Sequence, residues 1–224
     1  MNNYIIATEK IWNVNNFTKY QREGWFLVTD HKLLEGTVNT LKPKIIFFPH
    51  WSWKIPKEIY EKYECVIFHG TNLPIGRGKE PFQWLIEGGY ENTYITVFKC
   101  TDEIDAGEVY TKIPLSLSGS AEEVYTRCSN LIFEQIKNMI IKSDNGITNE
   151  TFVQSGVPSE CGHPTPEILL DAIDNLEEIY NKIRAWDAES YPKANFDTED
   201  FNFEFSNAIK RNGYIEAHVR IREI

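Results

Sequence analysis

Short continuous apolar runs punctuate the first two thirds of the chain: Tyr4–Ala7, Trp25–Thr29, Ile45–Phe48, Cys65–Phe68 and Ile95–Phe98. They are rich in Ile, Val and Phe and show no polar alternation, as strands covered on both faces do. Between the third and fourth runs, Pro56 opens a short helix over Lys57–Tyr63 that turns Ile59, Tyr60 and Tyr63 inward. Strand, helix and strand at that spacing make a right-handed parallel crossover. Ser120-Ala121-Glu122-Glu123 forms a capping box. Val124, Cys128, Leu131, Ile132, Ile136, Met139 and Ile140 then recur at helical spacing up to the stop at Asp144-Asn145-Gly146. The pattern predicts an α/β fold with a parallel sheet over residues 1–150.

Beyond residue 150 the texture changes. Thr165-Pro166-Glu167 predicts a helix start, and Asn175-Leu176-Glu177-Glu178 caps another helix running to about Arg184. Phe201, Phe203 and Phe205 alternate with polar residues, as do Ile215, Ala217, Val219 and Ile221, with Asn212-Gly213 as a hairpin turn between them. Residues 151–224 therefore read as a helical and antiparallel β extension packed on the domain of residues 1–150.

Charge narrows the partners. Lys and Arg number 23 against 33 Asp and Glu, a net −10, which argues against a phosphate-backbone ligand; no nucleic-acid partner is expected. Residues 1–150 hold 16 basic and 19 acidic side chains, against 7 and 14 in the remainder, so an anion site is expected in the first part. Cys65, Cys100, Cys128 and Cys161 are widely spaced with no CxxC, so neither a disulfide framework nor a metal site is expected. No run has signal-peptide layout or membrane-spanning length. A cytoplasmic protein with no membrane partner, monomeric or homodimeric, is expected.

Ligands of parallel sheets bind at the carboxyl ends of the strands. After Ile45–Phe48 comes a loop with two tryptophans, His50-Trp51-Ser52-Trp53-Lys54-Ile55-Pro56. After Cys65–Phe68 comes His69-Gly70-Thr71-Asn72-Leu73-Pro74-Ile75-Gly76-Arg77-Gly78, a histidine leaving a buried strand into a turn-rich loop. Neither a dinucleotide fingerprint nor a P-loop is present: Ala7-Thr8-Glu9-Lys10 follows the first strand, and there is no GK[ST].

His69, Leu73-Pro74, Arg77-Gly78 and Pro81, followed by Glu103-Ile104-Asp105-Ala106-Gly107-Glu108, together resemble the signature of the N10-formyltetrahydrofolate-dependent formyltransferases. That family includes methionyl-tRNA and sugar N-formyltransferases. The resemblance spans roughly residues 44–195 and implies a Rossmann-like catalytic domain over 1–150, with N10-formyltetrahydrofolate as co-substrate. It implies His69 and Asp105 as catalytic residues, with Trp51, Ser52, Trp53, Lys54 and Ile55 as the pterin loop. Thr71, Arg77 and Gly78 are the candidate acceptor contacts. Three departures stand out. Ile67 occupies the position where the family carries an asparagine that donates to the formyl oxygen, the chain is too short for the tRNA-binding barrel of methionyl-tRNA enzymes, and His163-Pro164 replaces the usual basic residues.

The compact length and the Phe47-Phe48-Pro49-His50-Trp51-Ser52 run resemble the small sugar N-formyltransferases. The acceptor implied is the amine of a nucleotide-linked amino-dideoxy sugar of bacterial surface glycans. An aminoacyl group on a carrier protein is the alternative, and a non-catalytic folate- or nucleotide-binding relic a third reading. Acyl transfer to an amine passes through an oxyanion and needs a proton route. Either His69 accepts the amine proton beside Asp105, or a charged His69 donates to the oxyanion while Asp105 takes the proton. With Ile67 unable to donate, Asn72 is the nearest side-chain replacement.

Overall fold

The computed structural model describes residues 2–224. The chain forms two compact units woven from non-contiguous stretches: Met1–Gly78, Tyr94–Leu115 and Thr126–Glu160 make the first, and Lys79–Thr93, Ser116–Tyr125 and Cys161–Ile224 the second.

The first unit is built on a six-stranded sheet of β1 (Tyr4–Ala7), β2 (Trp25–Val28), β3 (Ile45–Pro49), β4 (Glu64–His69), β5 (Asn92–Lys99) and β6 (Val109–Ser116), in the order β2-β1-β3-β4-β5-β6. The four strands from β2 to β4 pair in parallel, and β5 turns antiparallel to β4. The expected strands are thus all present. A continuous apolar run reports burial on both faces, however, and carries no information about direction. Alternation explains the double burial. Ile5, Ala7, Ile46, Phe48 and Cys65 form one cluster with Val38 of α2 (Leu34–Leu41) and Ile59 of α3 (Lys57–Tyr60). Their neighbours Ile6, Ile45, Phe47 and Val66 are fully buried as well and point the other way. Two further helices of this unit are joined by buried amides: Asn16 of α1 (Ile11–Tyr20) donates to Ser129 Oγ (2.8 Å) and Asn130 Oδ1 (3.0 Å) of α5 (Ala121–Asp144).

The second unit pairs β7 (Ala194–Asp197), β8 (Phe201–Arg211) and β9 (Tyr214–Glu223) in an antiparallel sheet. Phe196 stacks on both Phe203 and Phe205. In α6 (Leu176–Ala185), Asn175 caps the start by accepting from the amides of Glu177 and Glu178, and α6 packs on β8 and on α4 (Pro81–Glu87). The capping box at Ser120 forms as the sequence predicts. The helix expected at Thr165-Pro166-Glu167 does not. Asn195 N donates to Pro166 O and Ile168 N donates to Asn195 O, so the segment is claimed by the edge of β7, leaving one 3-10 turn at Leu170–Ala172. Proline at a first helical position permits a helix without enforcing one. Among the described residues no helix is long and apolar enough to cross a membrane.

The β5–β6 connection carries Asp105, and its course is set by a glycine. A Cβ at Gly107 would lie 1.8 Å from the carbonyl oxygen of Lys99, so the two backbones are in direct contact. Gly107→Ala must push them apart, and a loss of about 3 kcal/mol or more of folding free energy is expected, read as a lowered urea midpoint.

Candidate active site

His69 is the last residue of β4, opposite Thr96 of β5. The chain then folds back on itself within nine residues. Thr96 Oγ1 donates to Thr71 O (2.6 Å) and accepts from Leu73 N (3.3 Å), while the Leu73 side chain is fully buried. The return places the Gly76 carbonyl over the histidine: His69 Nε2 lies 2.7 Å from Gly76 O, and Thr71 Oγ1 donates to the same oxygen at 3.0 Å. A carbonyl only accepts, so Nε2 carries the proton and the neutral ring keeps its lone pair on Nδ1.

Nδ1 faces Asp105, with 3.8 Å to Oδ2, and both side chains are close to nine-tenths buried. Oδ2 also accepts the Gly78 amide at 2.9 Å. Asp105 holds a left-handed backbone, φ 54°, which a non-glycine residue adopts at a cost of about 1–2 kcal/mol. Gln154 braces it, donating Nε2 to Asp105 O (2.8 Å) and to Gly107 O (2.9 Å). Arg77 and Glu103 form an ion pair between the His69 turn and the Asp105 loop. Two residues 36 positions apart in the chain are thereby brought face to face.

The remaining candidates separate by place. Thr71 is buried and spent on the turn, and Gly78 gives its amide to Asp105. Arg77 is held by Glu103, while its Nε is buried without a partner. Asn72 is exposed; Lys112 Nζ donates to its Oδ1 at 2.6 Å, which leaves Nδ2 as the donor it can offer. Burial lowers the Lys112 ammonium from its usual range. Ile67 packs half-buried against the clusters on both sides of β4.

In the loop after β3, Trp51 and the buried Ile55 rest on the first cluster and Trp53 stacks on His31 at 3.8 Å. Ser52 and Lys54 are exposed. The amides of residues 51–55 enter none of the backbone hydrogen bonds among the described residues, and the buried Trp51 Nε1 has no partner. Unpaired polar groups on an apolar shelf suit a flat heteroaromatic ring with donors and acceptors on its edge. The donor set fits a pterin. Among the described residues no cluster of His, Cys, Asp and Glu could hold a metal ion.

Three groups the sequence did not single out complete the site: the Gly76 carbonyl, the Lys112 ammonium and Gln154. Gln154 lies 49 residues beyond Asp105 in a segment without periodicity, and no local signal marks it. His50 follows β3 with φ 51°. Its Nδ1 lies 3.1 Å from Asn13 Nδ2 and its Nε2 lies 3.5 Å from Cys128 Sγ. Burial, aided by the charge of Lys10, pushes its pKa down to about 3, so it stays neutral while an unfolded histidine would protonate near pH 6.5.

A domain description, "Methionyl-tRNA formyltransferase, C-terminal domain", matches residues 167–222. A solved methionyl-tRNA formyltransferase from Clostridium thermocellum is 38% identical, superposes with a TM-score of 0.90, and is covered in full by a full-length match. Methionyl-tRNA formyltransferase of Bacillus subtilis (strain 168) is 27% identical over 155 residues, 66% of this chain and 48% of that protein. The chain thus spans about half the length of the curated relatives it matches. A sugar N-formyltransferase from Shewanella sp FDAARGOS_354 shares the fold at a TM-score of 0.62 and 14% identity, over 89% of this chain and 94% of that one. The chain belongs to the formyltransferase family that these methionyl-tRNA enzymes represent.

Two expectations are overturned by these matches. Kinship with the sugar N-formyltransferases, and with it the nucleotide-linked sugar acceptor, gives way to the full-length match with a methionyl-tRNA enzyme. Short length does not distinguish the groups, because the Clostridium chain is matched from end to end. The exclusion of a nucleic-acid partner falls with it. Net charge is a sum over the whole surface and carries no information about how charge is distributed on it.

The depressed His50 pKa has a measurable consequence. Between pH 6.5 and about 3 the unfolded chain binds a proton that the folded chain refuses, so stability falls as pH drops through that window and is unaffected above it. The slope from this residue is at most ~1.4 kcal/mol per pH unit. In urea titrations at pH 7.5 and 5, His50→Gln is expected to narrow the gap between the two midpoints.

Proposed function

We propose that this chain is an N-formyltransferase that moves the formyl group of N10-formyltetrahydrofolate to the amine of an aminoacyl group borne on a carrier. The carrier proposed is methionyl-tRNA, the acceptor for which the Clostridium and Bacillus relatives are named. The observation that carries the reading is the pairing of His69 Nδ1 with Asp105 in a ring whose other nitrogen is committed to Gly76. A cytoplasmic place of action fits that acceptor.

Residues 51–55 would hold the pterin by their backbone groups, with the side chains of Trp51 and Ile55 anchoring the loop to the core. When bound, the folate supplies the formyl carbon. The attacking amine must lose a proton as the carbon–nitrogen bond forms. His69 cannot offer Nε2–H to an oxyanion without breaking its bond to Gly76, so its free capacity is to accept at Nδ1. Asp105, fixed by the Gly78 amide, faces the imidazolium so formed and offsets its charge. The oxyanion falls to the turn, where Asn72 Nδ2 is the side-chain donor. One such donor is worth about 100–1000-fold in rate.

His69→Ala and Asp105→Ala are each expected to lower formyl transfer by about 100-fold or more with an unchanged fold. Turnover near that of the unaltered protein in either variant removes this mechanism. The acceptor is tested by supplying radiolabelled formyltetrahydrofolate with charged methionyl-tRNA or with an aminoacylated carrier protein. Label is expected in the tRNA fraction. Label confined to the protein carrier overturns the tRNA assignment and leaves the chemistry standing.

A further inference from the structure

Residues 151–160, the last stretch of the first unit, hold three points of the site in sequence. Phe152 and Val109 exchange both backbone hydrogen bonds (2.8 and 2.9 Å), and Thr151 Oγ1 donates to Glu108 Oε2 at 2.8 Å. Gln154 follows on the carbonyls of Asp105 and Gly107. Ser159 then binds the turn that covers His69: its Oγ accepts from Gly76 N (3.2 Å), its carbonyl from Arg77 N (2.9 Å), and its amide donates to Pro74 O (3.2 Å).

The apolar side chains here do little to hold the segment. Phe152, Val153 and Val157 are 51%, 74% and 86% exposed. Gln154 is the half-buried residue between Phe152 and Glu160, all the others being exposed. Hydrogen bonds to the site loops, rather than burial, fix its course. The Asp105 turn needs such help. Its internal bond from Ala106 N to Glu103 O is long, 3.4 Å, and Asp105 sits at positive φ. The two Gln154 bonds hold the carbonyl of that strained residue and the carbonyl two residues beyond it. Without them the turn is free to relax toward negative φ, which swings the carboxylate away from His69 and Gly78.

We propose that Gln154 is a positioning residue of the formyl-transfer site, holding Asp105 in its left-handed conformation so that its carboxylate meets His69 Nδ1. The kinetic part of this rests on the function proposed above, and the structural part stands without it. Gln154→Glu keeps the volume but replaces the donor by a carboxylate that repels both carbonyls, while Gln154→Ala removes the contact altogether.

Two readouts are needed. The Gly78 amide, donated to Asp105 Oδ2, reports the carboxylate in ligand-free protein by hydrogen exchange. Its exchange is expected to quicken about tenfold or more in both variants, while the buried amides of β3 keep their protection and certify the fold. In steady-state formyl transfer, kcat is expected to fall about 10–100-fold in Gln154→Glu, with KM for both substrates changed less than threefold. Exchange at Gly78 within twofold of the unaltered protein in both variants overturns the proposal, as does an unchanged kcat in an active enzyme. Faster exchange at Gly78 in a protein whose unaltered form transfers no formyl group sinks the function reading alone.

Discussion

The carbonyl oxygen of Gly76 is the fixed point of the site. It takes one hydrogen bond from His69 and one from Thr71, and its geometry decides which nitrogen of the imidazole is free. Everything nearby serves that placement. Thr96 closes the first half of the turn through Thr71 and Leu73, and Gly78, two residues on, delivers its amide to Asp105. The group that selects the tautomer is a backbone carbonyl, which only accepts.

How legible this was follows from where each signal resides. The parallel strands announced themselves because burial on both faces leaves an unbroken apolar run, and caps announced α5 and α6 because Ser120 and Asn175 act on their own next turn. Helix α1 was silent. Its Asn13, Asn15 and Asn16 weaken helix propensity, yet buried Asn13 and Asn16 are there to bond neighbouring elements. Strand β6 was equally silent, its sequence from Val109 to Ser116 mixing apolar and polar residues around Pro114 and being mostly half-buried. The expected helix at Pro166 failed for the converse reason: a local start signal lost to a distant edge strand.

Within the site, His69 and Asp105 could be read because their neighbours in sequence form part of a shared pattern, and the structure sets them side by side. The groups that place them could not. The Gly76 group is a backbone carbonyl that any residue would supply, and Gln154 reaches Asp105 from a stretch whose outward face is apolar and exposed. Trp51 and Trp53 illustrate a different limit. An aromatic pair next to a strand end reads as a ring-binding wall; in the structure Trp51 packs on the core and Trp53 stacks on His31, contacts that no local signal announces.

Ile67 wedges between the hydrophobic clusters on either side of β4, and that has a cost beyond the missing donor. A donor carried on a central strand is as ordered as the sheet and stays in place until the sheet melts. A donor carried on the turn is ordered only to the extent that the turn is. Under the function proposed above, with Asn72 as the oxyanion donor, that stabilisation follows the melting of residues 70–78 rather than of the whole first unit. Its rate should peak at a temperature below the one at which the sheet unfolds, with activity lost by a loosened loop in a protein that is still folded.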